Sequence, residues 1–451
     1  MGFIAIVGAG ITGLAAAWEL QQQGIGYTLL EASDRFGGKL ITERTDGFII
    51  EAGADSLLTS KPWAWHLCRE IGLADRLIPT NTERRTVYVF RHGKLQPFPR
   101  GMRLIVPVDP DGLRDTELLS EAGKRRMLAE VDIPPRTDAT DESLAAFVRR
   151  RFGDEALDVF GESLLSGIHA GDPEQLSIRA TFPDYPRLER AFGSVIRGMR
   201  TAPPAPRDPD LPGSMFVSPR GGMIELTETL RGQLTGDLRL NTPVRRIAPD
   251  RTIQLANGDS LRPEGILLST PVRAAGKLVE AIAPEASQAL AAFKTVSSGT
   301  ISLGFRRDDL PPLDGYGFVI PRTEPTRITA CTWSSTKLAG RAPEGYVLLR
   351  VFVGGHGREE DVERSDAELV ALARTDLAAI MGIHAHPVLT RVFRWRGSSP
   401  QYEVGHLDRV ARLRALCPAW VQLAGCAYEG VGVPDCVRQG RQAAQSLLEK
   451  V

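Results

Sequence analysis

The chain opens with a short apolar run, Phe3–Val7, that breaks into glycines over Gly8–Gly13 and resumes as helix-spaced apolar residues from Leu14 to Gln22, closing near Gly24. Five consecutive apolar residues without alternation predict a strand covered on both faces, the habit of parallel sheets. A second such run, Tyr27–Leu30, follows at once. The far end repeats the pattern: Val421–Ala424 predicts a strand, a glycine-rich bend follows, and Pro434 opens a helix at its first turn, where a missing N–H is tolerated. Between the ends, "GGMIELTETLRGQL" looks like a helix after a Gly-Gly turn, and "LRLNTPVRRIAPD" and "GILLSTPVRAA" look like strands. Strands alternating with helices place the chain in the α/β class, α+β overall.

The middle of the chain reads differently. From Asp109 to Arg151 apolar residues recur every three or four positions (Leu118, Leu119, Met127, Leu128, Leu144, Phe147), which predicts a small helical subdomain. Residues 201–214, "TAPPAPRDPDLPGS", hold five prolines and predict an extended connector. From Gly299 to Arg396, segments such as "TISLGF", "YVLLRVFVGG" and "LTRVFRW" predict strands of a mixed sheet.

Composition narrows the functional classes. With 451 residues, 42% hydrophobic and 24% charged, the chain is globular and long enough for two or three cores. Lys plus Arg and Asp plus Glu each number 55, so no net charge points to nucleic acid. Five cysteines (Cys68, Cys331, Cys417, Cys426, Cys436) form no C-x-x-C pair, and no zinc or other metal site is expected. His384 and His386 share a strand face but lack a third ligand. A cytoplasmic, reducing compartment is the expectation. Basic runs such as "GKRRML" and "FVRRRF" would allow at most peripheral contact with a membrane.

The glycine turn carries the first chemistry. Gly8, Gly10 and Gly13 match the opening of G-x-G-x-x-G, with Ala16 at the looser last place. Gly8 permits the tight turn, Gly10 lets a pyrophosphate approach the backbone, and the helix amides meet its charge. Glu31, about twenty residues on at the end of the second strand, suits ribose hydroxyls and disfavours a 2′-phosphate. "EASDRFGGKL" then adds Arg35, the Gly37-Gly38 pair and Lys39, a second place for phosphate to approach the backbone.

Together these blocks resemble the FAD-dependent amine oxidase superfamily, which implies a Rossmann-like FAD-binding domain assembled from both chain ends. The implied FAD contacts are Gly8, Gly10, Ile11, Thr12, Gly13, Glu31, Ala32, Arg35, Gly37, Gly38 and Lys39, with Val244 against adenine and Thr270 where the chain leaves the domain. Gly425, Val431, Gly432 and Val433 would border the isoalloxazine, with a helix N-terminus aimed at its N1–C2 edge. The implied layout is an FAD-binding domain (1–57, 215–298, 413–451), a substrate domain (58–108, 160–214, 299–412) and a helical subdomain (109–159). Three longer blocks, "LLSGIHAGDPEQLSIRATFP", "CTWSSTKLAGRAPEGYVLLRVFVGG" and "AYEGVGVPDCVRQGRQAA", are similar to the porphyrinogen oxidases of haem synthesis.

That resemblance implies six-electron oxidation of coproporphyrinogen III or protoporphyrinogen IX by FAD and molecular oxygen, with peroxide released and a chelatase acting downstream. The substrate's propionates call for cations in a broad apolar cavity. Arg85 stands where the resemblance implies a propionate contact, with Lys337, Arg394 and Arg396 as further cations and His169 and Gly171 along the wall. Leu338 and Ala339 replace the aromatic-proline pair usual beside Lys337 in the coproporphyrinogen-oxidising branch. No catalytic proton acceptor is legible. A flavin amine oxidase, a carotenoid desaturase or a non-catalytic FAD protein would share the FAD blocks, and these alternatives stay open here.

Overall fold

The computed structural model describes residues 2–203 and 208–449, so the centre of the proline-rich stretch, residues 204–207, lies outside the described residues. Strands β1 (Ile4–Val7) and β2 (Tyr27–Leu30) flank the helix α1 (Ile11–Gln22). They join β3 (Asp237–Arg239), β4 (Gly265–Leu268) and β5 (Val421–Leu423) in a parallel sheet of order β3-β2-β1-β4-β5. Ile4 pairs with both Tyr27 and Gly265, so the strands end in step and their carboxyl ends form one edge. Every residue of β1, β2 and β4 is buried, as the unbroken apolar runs predicted.

The helix after the first turn starts earlier than the sequence pattern suggested. It begins at Ile11, not Leu14, so Gly13 lies within its first turn. A side chain at Gly13 would collide with the Gly8 carbonyl oxygen and reach within 2.7 Å of Ser269 Oγ. Gly13 is therefore spent on helix–strand packing, and the turn proper is Gly8–Gly10, with Gly8 at φ +101°.

The closing helix α2 (Val433–Leu448) lies across α1, and both use small residues at the crossing. Ala15–Ala17 face Ala443 and Ala444 in one buried cluster, and a side chain at Gly440 would strike the Thr12 carbonyl. The two chain ends thus form one domain through close backbone approach.

A seven-stranded mixed sheet holds Thr295–Arg306, Tyr346–Gly354 and Leu389–Pro400, the strands expected from alternation, together with Ala330–Trp333, Gly315–Val319, Thr86–Arg91 and Lys94–Pro97. Only the pairing of Gly315–Val319 with Thr86–Arg91 is parallel. The helical unit is organised around Leu144–Phe152, which Ser143 caps by accepting a hydrogen bond from the Ala146 amide. Its apolar cluster takes in Leu118, Met127 and Phe147 and continues to Val195 and Ile196.

Arg126, Arg149, Arg150 and Arg151 of the basic runs are engaged inside this unit, while Arg125 is exposed. Arg126 donates to the carbonyls of Arg149, Arg150 and Arg151 at the helix end, at 2.8 to 3.0 Å. Arg151 is fully buried against Glu130. No helix among the described residues is long and apolar enough to cross a membrane.

Candidate cofactor and substrate site

The site grows from the carboxyl edge of the parallel sheet, where the loops after β1, β2, β4 and β5 meet. Glu31 follows β2, and its carboxylate accepts from the Ala9 amide at 2.8 Å and from the Ser33 amide at 2.9 Å. This holds the acid against the glycine turn. Ala32 beside it is exposed. The chain then returns over the turn: Gly37 N–H donates to the Ala9 carbonyl at 2.8 Å, and Gly10 and Gly37 form a parallel bridge. A side chain at Gly38, φ +57°, would stand 2.9 Å from the Gly10 Cα. The two glycine motifs of the sequence are therefore one interlocked feature.

Arg35 and Lys39 flank it. Lys39 Nζ donates to the Ser398 carbonyl and lies 3.6 Å from Cys426 Sγ, linking the FAD-type domain to the seven-stranded sheet. Val244 begins a strand two residues after Thr242, whose amide donates to the Glu31 carbonyl at 2.8 Å, so Val244 stands at the Glu31 end of the cleft. Thr270 follows β4, and its hydroxyl is buried without a hydrogen-bond partner among the described residues. Gly425 (φ +134°) and Gly430 (φ +101°) turn the chain from β5 to α2, whose N-cap Gly432 offers no side-chain acceptor. Pro434 removes one donor of that first turn, and the remaining amides form the positive end of the helix dipole beside the Asp435 carboxylate, which Lys61 pairs. Ile11 and Thr12 are buried at the start of α1, and Val431 and Val433 are half-buried beside Gly432.

These features fit a bound dinucleotide. The space above Gly10 is open, since a Cβ there would meet only the Gly38 Cα at 3.9 Å. A side chain at Gly425 would likewise meet only Thr12 Oγ1 at 3.9 Å. The orphaned Thr270 hydroxyl and the uncapped start of α2 both await an acceptor.

The family model for flavin containing amine oxidoreductases matches residues 11–448. The chain belongs to that family. It is accordingly an FAD-binding oxidoreductase. The coproporphyrinogen III oxidase of Bacillus subtilis (strain 168) is 36% identical over 99% of this chain and 97% of its own. That of Staphylococcus aureus (strain NCTC 8325 / PS 47) is 35% identical over 99% of each. A crystal structure from Exiguobacterium sp. 255-15, provisionally assigned to the protoporphyrinogen oxidases, superposes with a TM-score of 0.88 at 35% identity over 99% of each chain.

The expected substrate residues scatter. His169 is 6% exposed, lies with its ring 5.4 Å from that of Tyr402, and leaves Nδ1 without a hydrogen-bond partner among the described residues. Gly171 is buried against Gln401 and Leu176. Arg85 is exposed just before Thr86–Arg91. Lys337 is committed to Asp55, with Nζ at 2.8 and 2.9 Å from the two carboxylate oxygens. Burial alone would raise the Asp55 carboxyl, but Lys337 and Arg350 overcome it and hold it well below the usual carboxylate range. Leu338 is 1% exposed, packed inside the sheet domain. Arg394 is tied to Asp366 at 2.5 Å and Arg396 to Glu363 at 2.9 Å.

Two functional-looking groups escaped the sequence pattern. Lys61, 42% exposed at its side chain, reaches Asp435 in the first turn of α2 at 2.6 Å and exerts its charge on His169. Arg350 is buried, donates to the Gly53 carbonyl, and sits beside Asp55. An acid directly after Pro434 and the "EAGADS" end of a buried strand were the available signals.

The site also sets an acid sensitivity. Tyr402 stacks on His406, ring centroids 4.0 Å apart, and His406 Nε2 contacts the Tyr428 carbonyl at 2.8 Å. Burial pushes both His169 and His406 down from 6.5 to about 4. In the unfolded chain each takes a proton as pH falls through 6.5, whereas in the folded protein each stays neutral to about 4. Their stabilisation is complete above 6.5 and is lost towards 4, on the order of 3 kcal/mol each. The melting temperature is expected to fall between pH 6.5 and 5, before paired carboxylates protonate, and a His406→Gln variant should show a shallower slope. Parallel slopes in a pH series of thermal melts would refute this.

Proposed function

We propose that the protein oxidises coproporphyrinogen III to coproporphyrin III, using FAD and molecular oxygen and releasing hydrogen peroxide. The observation that carries this reading is end-to-end similarity to coproporphyrinogen III oxidases at 35% and 36% identity. The conversion removes six hydrogens; three oxygen molecules accept them and become three peroxides. Bound FAD supplies the two-electron acceptor.

This chain's residues bind and orient. Gly8, Gly10, Ile11, Thr12, Gly13, Arg35, Gly37, Gly38 and Lys39 would hold the pyrophosphate, Glu31 and Ala32 the adenosine ribose, and Val244 the adenine. Thr270, Gly425, Val431, Gly432 and Val433 would border the flavin, and the positive end of the α2 dipole would favour negative charge beside it. Among the cations, Lys337, Arg394 and Arg396 already meet carboxylates. Lys61 is likewise held by Asp435, whereas Arg85 has no carboxylate partner among the described residues, so Arg85 is the propionate contact we favour. The product is a metal-free porphyrin, which a chelatase would consume.

The test supplies the FAD-loaded protein in air with coproporphyrinogen III or protoporphyrinogen IX and follows porphyrin fluorescence and peroxide. Faster porphyrin formation than autoxidation from the first substrate, with one peroxide per electron pair, is the expected result. Preference for the second would favour the assignment carried by the Exiguobacterium structure. No acceleration with either, alongside reduction of the flavin by polyamines or a polyene, would overturn the porphyrinogen reading.

A further inference from the structure

A separate cavity of about 240 Å³ lies where the loop before Thr86–Arg91 meets the short helix Ser334–Lys337, lined by Asn81, Arg84, Arg307, Ser335, Thr336 and Tyr346 over an apolar floor. No aspartate or glutamate lines it. Among the described residues neither Arg84 nor Arg307 has a carboxylate within ion-pair distance, unlike Arg394 and Arg396, which pair with Asp366 and Glu363. Arg307 is anchored at its base: its amide donates to the Gly345 carbonyl at 2.8 Å and Nη1 to the Pro311 carbonyl at 3.2 Å.

The opposite wall is also built. Asn81 Oδ1 accepts from the amides of Glu83 at 2.9 Å and Arg84 at 3.1 Å, which shapes the loop bearing Arg84. Asn81 N–H donates to the Lys337 carbonyl at 2.9 Å, and Tyr316 Oη donates to the Asn81 carbonyl at 2.5 Å, so this loop is tied at three points. The groups left over are donors. They are the Arg84 guanidinium, the Asn81 side-chain amide and the hydroxyls of Thr336 and Tyr346, none with an acceptor among the described residues, and the N–H groups of Arg307 other than the one held by Pro311. Ser335 Oγ accepts from the Leu348 amide at 3.0 Å and keeps its own proton to donate.

A pocket that offers donors and positive charge and contains no acid recognises an anion. Its volume falls below the roughly 300 to 1,000 Å³ of drug-sized ligand sites, too small for a tetrapyrrole and ample for a phosphate or a short polycarboxylate. We propose that this cavity binds a small oxyanion, a phosphate or a short polycarboxylate, between Arg84 and Arg307. The site is independent of the porphyrinogen reading. It backs onto the helix whose Lys337 pairs with Asp55.

The experiment titrates inorganic phosphate, and separately citrate, into the FAD-loaded protein by calorimetry at constant ionic strength. Wild type and the Arg84→Gln, Arg307→Gln and Thr336→Val variants are compared. Saturable one-to-one binding of either anion, weakened about tenfold or more by each arginine substitution and less by Thr336→Val, is expected, and whichever anion binds names the source of the oxyanion. Flavin content and circular dichroism identify a variant that failed to fold, in which case the remaining two decide. Absence of saturable binding by both anions, or binding equal in wild type and correctly folded arginine variants, would overturn the proposal.

Discussion

A Gly13→Ala protein is expected to lose most of its flavin. The added methyl has no room: it would collide with the Gly8 carbonyl and sit 2.7 Å from Ser269 Oγ. Ser269 Oγ donates to that same carbonyl at 2.7 Å and to the Val7 carbonyl at 3.2 Å, so the obstruction is a hydrogen-bonded backbone rather than a yielding side-chain tip. Relief requires α1 to move away from β1. That displaces the amides of the first turn and the Gly10 backbone together, and disturbs the close Thr12–Gly440 crossing. Phosphate recognition by helix amides depends on their position to a fraction of an ångström, so binding should weaken by about a hundredfold or more. The flavin-to-protein ratio after desalting, read from visible and ultraviolet absorbance, is the measurement. Gly232→Ala is the control: Gly232 lies in the exposed part of the helix Ile224–Gln233 with nothing within 4 Å of a new Cβ. There alanine should leave flavin content unchanged and stabilise by up to about 1 kcal/mol. Full flavin content in Gly13→Ala would mean that the turn tolerates separation from the strand.

Glu130→Ala should be the most damaging substitution in the helical unit. Glu130 and Arg151 are both fully buried, and the carboxylate does more than neutralise the guanidinium. It accepts from Arg151 Nε at 2.7 Å, from the Ser194 hydroxyl, and from the amides of Val195 at 2.9 Å and Ile196 at 3.2 Å. It therefore closes the N-terminus of the helix Val195–Thr201 while anchoring the helix Leu144–Phe152. Alanine leaves one buried cation and two orphaned amides, a loss of about 3 to 5 kcal/mol. Glu130→Gln keeps the shape and should lose less. Urea unfolding compared with wild type gives the difference, and a loss below about 1 kcal/mol would show that water reaches the site.

How much of this was legible in the sequence follows from the range of each interaction. The apolar runs at Phe3–Val7, Tyr27–Leu30 and Val421–Ala424 became parallel strands of one sheet because burial on both faces imposes its pattern residue by residue. The turn glycines were legible for the same reason, each meeting a local backbone demand. The helix start was misplaced by three residues, because Gly13 serves close packing on Gly8 and a glycine in a helix looks like turn until that neighbour is seen. The interlocking of Gly10 with Gly38 needed the fold, although both motifs were plain in the sequence.

The cations mark the other limit. Arg151, Lys337, Arg394 and Arg396 read as exposed or substrate-facing charge, yet each meets an acid, in one case 282 positions away. Lys61 went unremarked until α2 placed Asp435 beside it. By itself, then, the sequence determined the parallel sheet, the dinucleotide turn and the family, since these depend on short-range periodicity and on residues whose backbone conformation only glycine adopts with ease. Only the tertiary structure decided which charges are spent and which remain to meet a ligand, because a charge is neutralised by whatever lies within a few ångströms in space, and separation along the chain carries no information about that distance.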